Sequence, residues 1–212
     1  MEQARTRFYE KRAEVLVQNM TKRGFEAYYC ADRRQALKKA LELIPEGATV
    51  GWGGAYSATQ IGLLEALELG NYHTLNRDKA TDMDERLHMQ RRSFDADVFL
   101  TGANALSLTG EMVNIDGTGN RVGMIVYGPK NVLVIAGMNK VVSTLEDAVH
   151  RARTIAAPMN AQRFGLSTPC SVTGACGDCK GECSICNQVL VTRNSRPVGR
   201  IKVILVGEDL GY

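Results

Sequence analysis

With 212 residues, 44% of them hydrophobic, the chain can build a substantial core and needs no metal to rescue an undersized fold. The 26 Lys and Arg against 23 Asp and Glu leave a formal charge of only +3, and no basic stripe interleaves with aromatics, so no nucleic-acid partner is indicated. No apolar run is long enough to span a membrane, and the charged start MEQARTRFYEKRAEVL has no signal core, so a soluble cytoplasmic protein with reduced thiols is expected.

In chain order, residues 4–23 read as a helix, with Phe8, Val15, Leu16 and Met20 on one side. A short strand over 26–30 follows Gly24, and 34–44 is a second helix with Ala36, Leu37, Ala40, Leu41 and Ile44 at helical spacing. The PEG break at 45–47 leads to a buried strand ATVGW (48–52), the pair Gly53-Gly54, and a helix from about 57 to 69. A charged helix near 80–94 precedes the strand DVFLTG (97–102). MVNID and RVGMIVYG are expected to flank the turn 117–119 as a hairpin. NVLVIAG (131–137) is another apolar strand, and Ser143-Thr-Leu-Glu146 is a capping-box pattern opening a helix to about 156. The run RIKVILVG (200–207) has the continuous apolar character of a central strand. This alternation predicts an α/β three-layer fold, with residues 1–212 as a single domain.

Two loops are candidate ligand sites. Gly51 to Gln60 joins a strand end to a helix start, where Gly53 and Gly54 permit close backbone approach and the helix offers free N–H groups to an anion. Ser57 and Gln60 also fit a capping box, which would make Ser57 a plain helix cap. The second candidate gathers Asn104, Asn114, Asp116, Asn120 and Arg121 near predicted strand ends. Asp116 and Asn120 sit in Asp/Asn-Gly turn surroundings that explain them equally well, whereas Arg121 offers a planar fork for carboxylate or phosphate. A salt bridge from Arg121 to Asp116 or Glu111 is the competing explanation.

Five of the six cysteines fall in TPCSVTGACGDCKGECSIC: Cys170, Cys176, Cys179, Cys183 and Cys186. Thiolates bind soft metals, and a two-residue gap lets one turn aim two sulfurs at one centre. Only Lys180, Gly181 and Glu182 separate the two Cys-x-x-Cys pairs, a short connector for opposed zinc knuckles. An iron–sulfur cube presents several corners and suits close thiolates plus a more distant one, so an iron–sulfur cluster is expected. Zinc is the alternative, and a disulfide-stapled loop would require an oxidising compartment. The segment 167–190 is thus expected to be a cysteine-rich metal-binding excursion inserted before the last core strand.

The blocks IPEGATVGWGGAYS, DVFLTGANALS, GEMVNIDGTGNRV, YGPKNVLVIAGMNKVV and RIKVILVGEDLG closely resemble the LUD-domain (lactate-utilisation) proteins over about residues 10–212. Within that family the chain resembles the short members with a C-terminal cysteine segment. The resemblance implies a Rossmann-like sandwich similar to the NagB/RpiA/CoA-transferase group, whose strand-end loops bind phosphosugars, CoA esters or folates. It also implies a cysteine pattern that maps onto Cys170, Cys176, Cys179 and Cys186 and leaves Cys183 as an extra thiol. At the first loop relatives read Gly-Gly-Ser-x-Thr, whereas this chain has Gly53-Gly54-Ala55-Tyr56-Ser57 and lacks the first hydroxyl.

Two functions follow from these expectations. One is an iron–sulfur redox accessory, with a 4Fe–4S cluster, acting in 2-hydroxy acid oxidation beside iron–sulfur or dehydrogenase subunits. The other is an enzyme or binding protein for a small anionic metabolite, with Gly53, Gly54, Ser57, Asn104, Asp116, Asn120 and Arg121 at its site and a purely structural zinc or cluster. Related folds often self-associate, so a homo-oligomer is a further expectation.

Overall fold

Strands whose side chains are apolar on both faces must be covered on both faces, and this chain does so with helices on one side and a mixed layer on the other. A computed structural model describes residues 2–212. The first half contains α1 (Glu2–Lys22), β1 (Glu26–Cys30), α2 (Arg33–Leu43), β2 (Thr49–Trp52), α3 (Tyr56–Gln60), α4 (Leu63–Leu69), β3 (His73–Leu75), α5 (Met83–Arg92) and β4 (Val98–Thr101). Then come β5 (Ala105–Ser107), β6 (Met112–Asp116), α6 (Asn120–Tyr127), β7 (Asn131–Gly137) and β8 (Val141–Val142). The chain continues through α7 (Leu145–Arg151), a π-helical turn, α8 (Ala157–Arg163), α9 (Pro169–Thr173), β9 (Gln188–Thr192) and β10 (Ile201–Val206).

The main sheet is parallel and runs β1-β10-β7-β4-β2-β3. Its side chains alternate between two cores. Val50, Leu100, Leu133, Ile135 and Ile204 pack under α2, α3 and α4, beside Ala36, Ala40, Leu63 and Leu67. Val132, Val134, Val203 and Leu205 face the opposite way, against Leu16 and Met20 of α1 and Ile125 of α6. The same second core takes in Leu106 and Met112 of a smaller sheet ordered β8-β5-β6-β9. Behind that sheet, α7 packs Ala148 onto Ala105, Val113 and Ile115. The α/β class and the central position of the run 201–206, bonded to β1 and β7 on either side, agree with the sequence expectation.

Several local expectations are corrected. RVGMIVY is helix α6, not the return strand of a hairpin. Its β-branched apolar character suits either structure, but burial of Val122, Met124 and Ile125 follows a helical face. The partners of β6 are β5 and β9, both antiparallel. The helix expected over 57–69 is two helices separated by Ile61 and Gly62, and Ala55, not Ser57, is the N-cap of the first. The later capping box is real but sits one residue on, at Thr144 and Asp147. Finally, β9 intervenes between the cysteine segment and β10, so the excursion returns first to the small sheet.

Candidate functional site

Ligands in parallel α/β sheets gather beyond the carboxyl ends of the strands, because the loops there can vary without disturbing the sheet. In this chain, Gly54 and Ser57 follow β2, Arg77 follows β3, Asn104 follows β4, Lys140 follows β7 and Tyr212 follows β10. All of them line one cavity of about 300 Å³. Asp116, Asn120 and Arg121 supply its floor from the end of β6 and the start of α6, and Asn160 and Arg163 reach it from α8.

The charge in this cavity is one-sided. Lys140 is only 5% exposed, and its Nζ donates to Ser57 Oγ at 3.3 Å. Burial, then the nearby Arg151 and Arg121, bring its pKa from the usual lysine range down to about 7. A shift of that size corresponds to roughly 5 kcal/mol against the charged form. The Arg121 guanidinium donates to Asn104 Oδ1 at 3.0 Å and to the Ile115 carbonyl. Burial makes its charge harder to hold, an effect that Asp116 opposes and Arg77 reinforces. In Arg77 the buried Nε has no hydrogen-bond partner among the described residues.

The one side-chain carboxylate in the lining, among the described residues, is already engaged. Asp116 Oδ2 accepts from the backbone N–H groups of Arg121 at 2.9 Å and Val122 at 3.1 Å, and Oδ1 accepts from Gly117 N at 2.9 Å. It therefore closes the N-terminus of α6 and anchors the turn before it. Asn104 is a positioning residue: its Oδ1 also accepts from Ile115 N at 2.8 Å, tying the guanidinium of Arg121 to β6. An array of cations with no free carboxylate can hold a carboxylate or phosphate group.

Of the eight residues singled out in the loops, Asn114 is buried in β6, its Nδ2 donating to Gly102 O at 2.9 Å, and Gly54, Ser57, Asn104, Asp116, Asn120 and Arg121 line the cavity. Gly53 does not. Its backbone N–H bonds Leu100 O at 3.1 Å, and a Cβ there would lie 3.1 Å from Phe99 Cζ, so it serves close packing of the β2 and β4 ends. Gly54 has φ +60°, and a Cβ would lie 2.9 Å from Arg121 Cδ. Ser57 proves to be the partner of Lys140 instead of a helix cap. Arg121 makes no salt bridge to Asp116, and Glu111 pairs with Arg23. Sequence reasoning missed Lys140 and Arg77. The only signal for Lys140 was its place just past an apolar strand, and Arg77 lies in a charged tract where nothing sets it apart.

All six cysteines are unpaired. Cys30 packs in the core, and Cys170 is buried in α9 with Sγ 3.2 Å from Thr168 Oγ1. Burial pushes the Cys186 thiol up to about 11, and Cys170, Cys176 and Cys179 push it the same way. Cys170, Cys176 and Cys179 are thus electrostatic neighbours of Cys186. Even so, among the described residues no group of three or more His, Cys, Asp or Glu side chains is arranged to hold a metal ion. The segment also touches the cavity. Ile185 lines it, while Asn187 bonds Asp116 O through its backbone N–H and Gly117 O through its side chain, both at 3.0 Å.

A DUF162 family protein from Deinococcus radiodurans has a similar fold, with TM-score 0.53 and 12% identity over 93% of this chain and 98% of that one. Ribose 5-phosphate isomerase A from Neisseria gonorrhoeae aligns at TM-score 0.35 and 20% identity, over 53% of this chain and 54% of that one. The isomerase A of Methanocaldococcus jannaschii aligns at TM-score 0.35 and 17% identity, over 53% and 55%. Among curated proteins none matches the sequence. The model of the LUD domain matches residues 13–206, a span holding both sheets and nearly all of the cavity wall, and the chain belongs to that family.

Proposed function

We propose that the chain binds a small anionic metabolite in the cationic cavity and serves 2-hydroxy acid oxidation, the lactate-utilisation role to which its family points. The observation that supports this reading is the convergence of Arg77, Arg121 and Lys140 on one cavity whose only side-chain carboxylate among the described residues, Asp116, is taken by the start of α6. The unpartnered Nε of Arg77 is a donor awaiting an acceptor. A volume of about 300 Å³ lies at the small end of ligand sites and favours a short acid or a phosphosugar over a CoA ester or folate. Calorimetric titration with lactate, pyruvate, inorganic phosphate and ribose 5-phosphate tests the reading. At least one should bind, and Arg121→Ala should weaken it by roughly tenfold or more, the value of a charge-assisted hydrogen bond. No binding by any of the four, or binding indifferent to Arg121→Ala, defeats it.

The cysteine segment supports a second part of the reading. Cys170, Cys176, Cys179 and Cys186 would hold an iron–sulfur cluster, expected to be 4Fe–4S, which when bound supplies one-electron transfer. The influence of Cys170, Cys176 and Cys179 on the Cys186 thiol supports grouping these four. Such a protein works in a reducing cytoplasm, beside dehydrogenase or other iron–sulfur subunits or a second copy of itself. Purification without air, with iron, sulfide and EPR analysis, checks the cluster. Stoichiometric zinc with no sulfide would make the metal structural and leave only anion binding.

A further inference from the structure

Lys140 is an unusual presence in a cationic cavity. Its ammonium has one hydrogen-bond partner, the hydroxyl of Ser57, and no ion pair among the described residues. The charged groups facing it are Arg121 from the start of α6 and Arg151 from α7, both positive. Arg151 is itself held away, donating to the Asn104, Asn139 and Tyr212 carbonyls. The segment after β10 closes over the amine: a Cβ at Gly211 would stand 2.6 Å from Nζ, and Tyr212 stacks on Tyr56 with ring centroids 5.4 Å apart. A lysine meant only to attract anions would keep its charge more easily nearer solvent, as the exposed Arg163 at the same cavity does.

We propose that Lys140 is a catalytic nucleophile, its amine condensing with the carbonyl carbon of an anionic aldehyde or ketone whose charged group is held by Arg121 and Arg77. The proposal rests on the anion-binding reading of the cavity and goes beyond it by naming the reacting atom and the carbonyl class of ligand. The lone pair of Nζ forms the C–N bond as the C=O π pair moves to oxygen. A proton passes from nitrogen to that oxygen, with the Ser57 hydroxyl at 3.3 Å placed to relay it, giving a carbinolamine. Loss of water, the nitrogen giving up its remaining proton, then leaves the neutral imine, which takes a proton from solvent to become the form that a hydride reagent reduces. Amine and carbonyl give imine and water, so no oxidant or reductant is required.

Burial supplies the neutral amine that this step consumes. With a pKa of about 7, roughly half of Lys140 is neutral at pH 7, against fewer than about one in a thousand of ordinary lysines with pKa near 10.4. The sign is therefore definite: attack by Lys140 rises with pH, with its midpoint near neutrality. At an ordinary exposed lysine it rises only at much higher pH.

The test is reductive trapping on the full chain. Protein is incubated separately with pyruvate, a 2-oxo acid, and with ribose 5-phosphate, a phosphorylated aldose, then treated with cyanoborohydride, digested and mapped by mass spectrometry. At neutral pH at least one probe should label residue 140 at least roughly tenfold above any exposed lysine, a conservative reading of the difference in neutral fraction. The probe that succeeds identifies which carbonyl class the site takes. Lys140→Met and Lys140→Arg should both abolish labelling, and thermal melts confirm that each variant is folded. The pH profile of labelling in the unaltered chain stands as an independent measurement that depends on no variant folding. Labelling no stronger than at Lys130, or with its midpoint near that of free lysine, overturns the proposal. Lactate, which has no carbonyl to condense, is titrated in parallel. Lactate or phosphate binding without trapping defeats the nucleophile and leaves the cavity reading intact, whereas no binding of any anion defeats both.

Discussion

Asp116 and Arg121 meet through the backbone, not through their charges: the carboxylate accepts the Arg121 N–H at 2.9 Å while the guanidinium turns away to Asn104. One residue thereby starts α6, and the other is left to present positive charge to the cavity. This division makes the two roles of Asp116 separable by mutation. Asp116→Asn keeps a side-chain oxygen that can cap α6 and removes the negative charge, so stability should stay near that of the unaltered chain while anion affinity rises severalfold. Asp116→Ala removes the cap as well, at about 1 kcal/mol, lowering Tm by roughly 2–4 °C. Equal Tm for the two variants in thermal melts would show that the carboxylate does not hold the helix start.

Gly54→Ala should cost both stability and binding. Its φ of +60° strains any L side chain by about 1–2 kcal/mol, and the new Cβ would press on Arg121 Cδ at 2.9 Å. Gly165→Ala is the control, with φ +62° and open space around the added carbon. Both variants should lose similar stability in denaturant titrations, but only Gly54→Ala should weaken anion binding. Unchanged affinity in Gly54→Ala would mean that the position of Arg121 does not matter to the ligand.

Glu111, 8% exposed, sets the acid limit of the small sheet. Burial raises its pKa, but hydrogen bonds from Ser107, Thr109 and its own backbone, together with Arg23, outweigh burial and hold it below the ordinary carboxylate value. A depressed folded pKa means that its stabilisation is present in full above about pH 4.3 and is lost as pH falls through the folded value. Glu111→Gln should flatten the stability profile in that acid window. Glu111→Ala should cost about 2–3 kcal/mol at neutral pH, less than the full cost of orphaning a buried ion because Arg23 reaches solvent. A Gln variant with the same acid midpoint as the unaltered chain would assign the acid transition elsewhere.

Cys176→Ser should abolish iron and sulfide binding in air-free preparations, since a hydroxyl oxygen is a poorer ligand for these irons than a thiolate. Cys183→Ser should leave metal content unchanged. Equal loss in both variants would show that the ligand set is misassigned.

Five of the six strands of the main sheet were legible because they carry their own signal, while β3, three residues long, was not. Runs such as 131–137 and 201–206 are apolar on both faces, and only a strand between neighbours buries both. In the small sheet only β6 was legible, as the strand MVNID. Its β5 and β8 are three and two residues long, too short for alternation to register, and β9 has two exposed valines, Val189 and Val191. The segment 120–127 misled because Val122, Ile125 and Val126 satisfy the composition of a strand, and the contact with β4 and β9 that makes it a helix on the sheet is not local.

The site divides in the same way. Glycine, asparagine and aspartate near strand ends mark loops by their backbone preferences, so Gly54, Asn104, Asp116 and Asn120 could be named from the chain alone. The convergence of Arg77, Arg121 and Lys140 could not, because they are separated by 44 and 19 residues and meet only once the ends of β3, β6 and β7 are brought together. The sequence by itself determined the α/β class, the five principal strands, the family and the clustering of cysteines, all properties written in neighbouring residues. Tertiary structure alone decided that three cations share one cavity and that Lys140 titrates near neutrality, because desolvation is the work of surrounding atoms and no residue carries it along the chain.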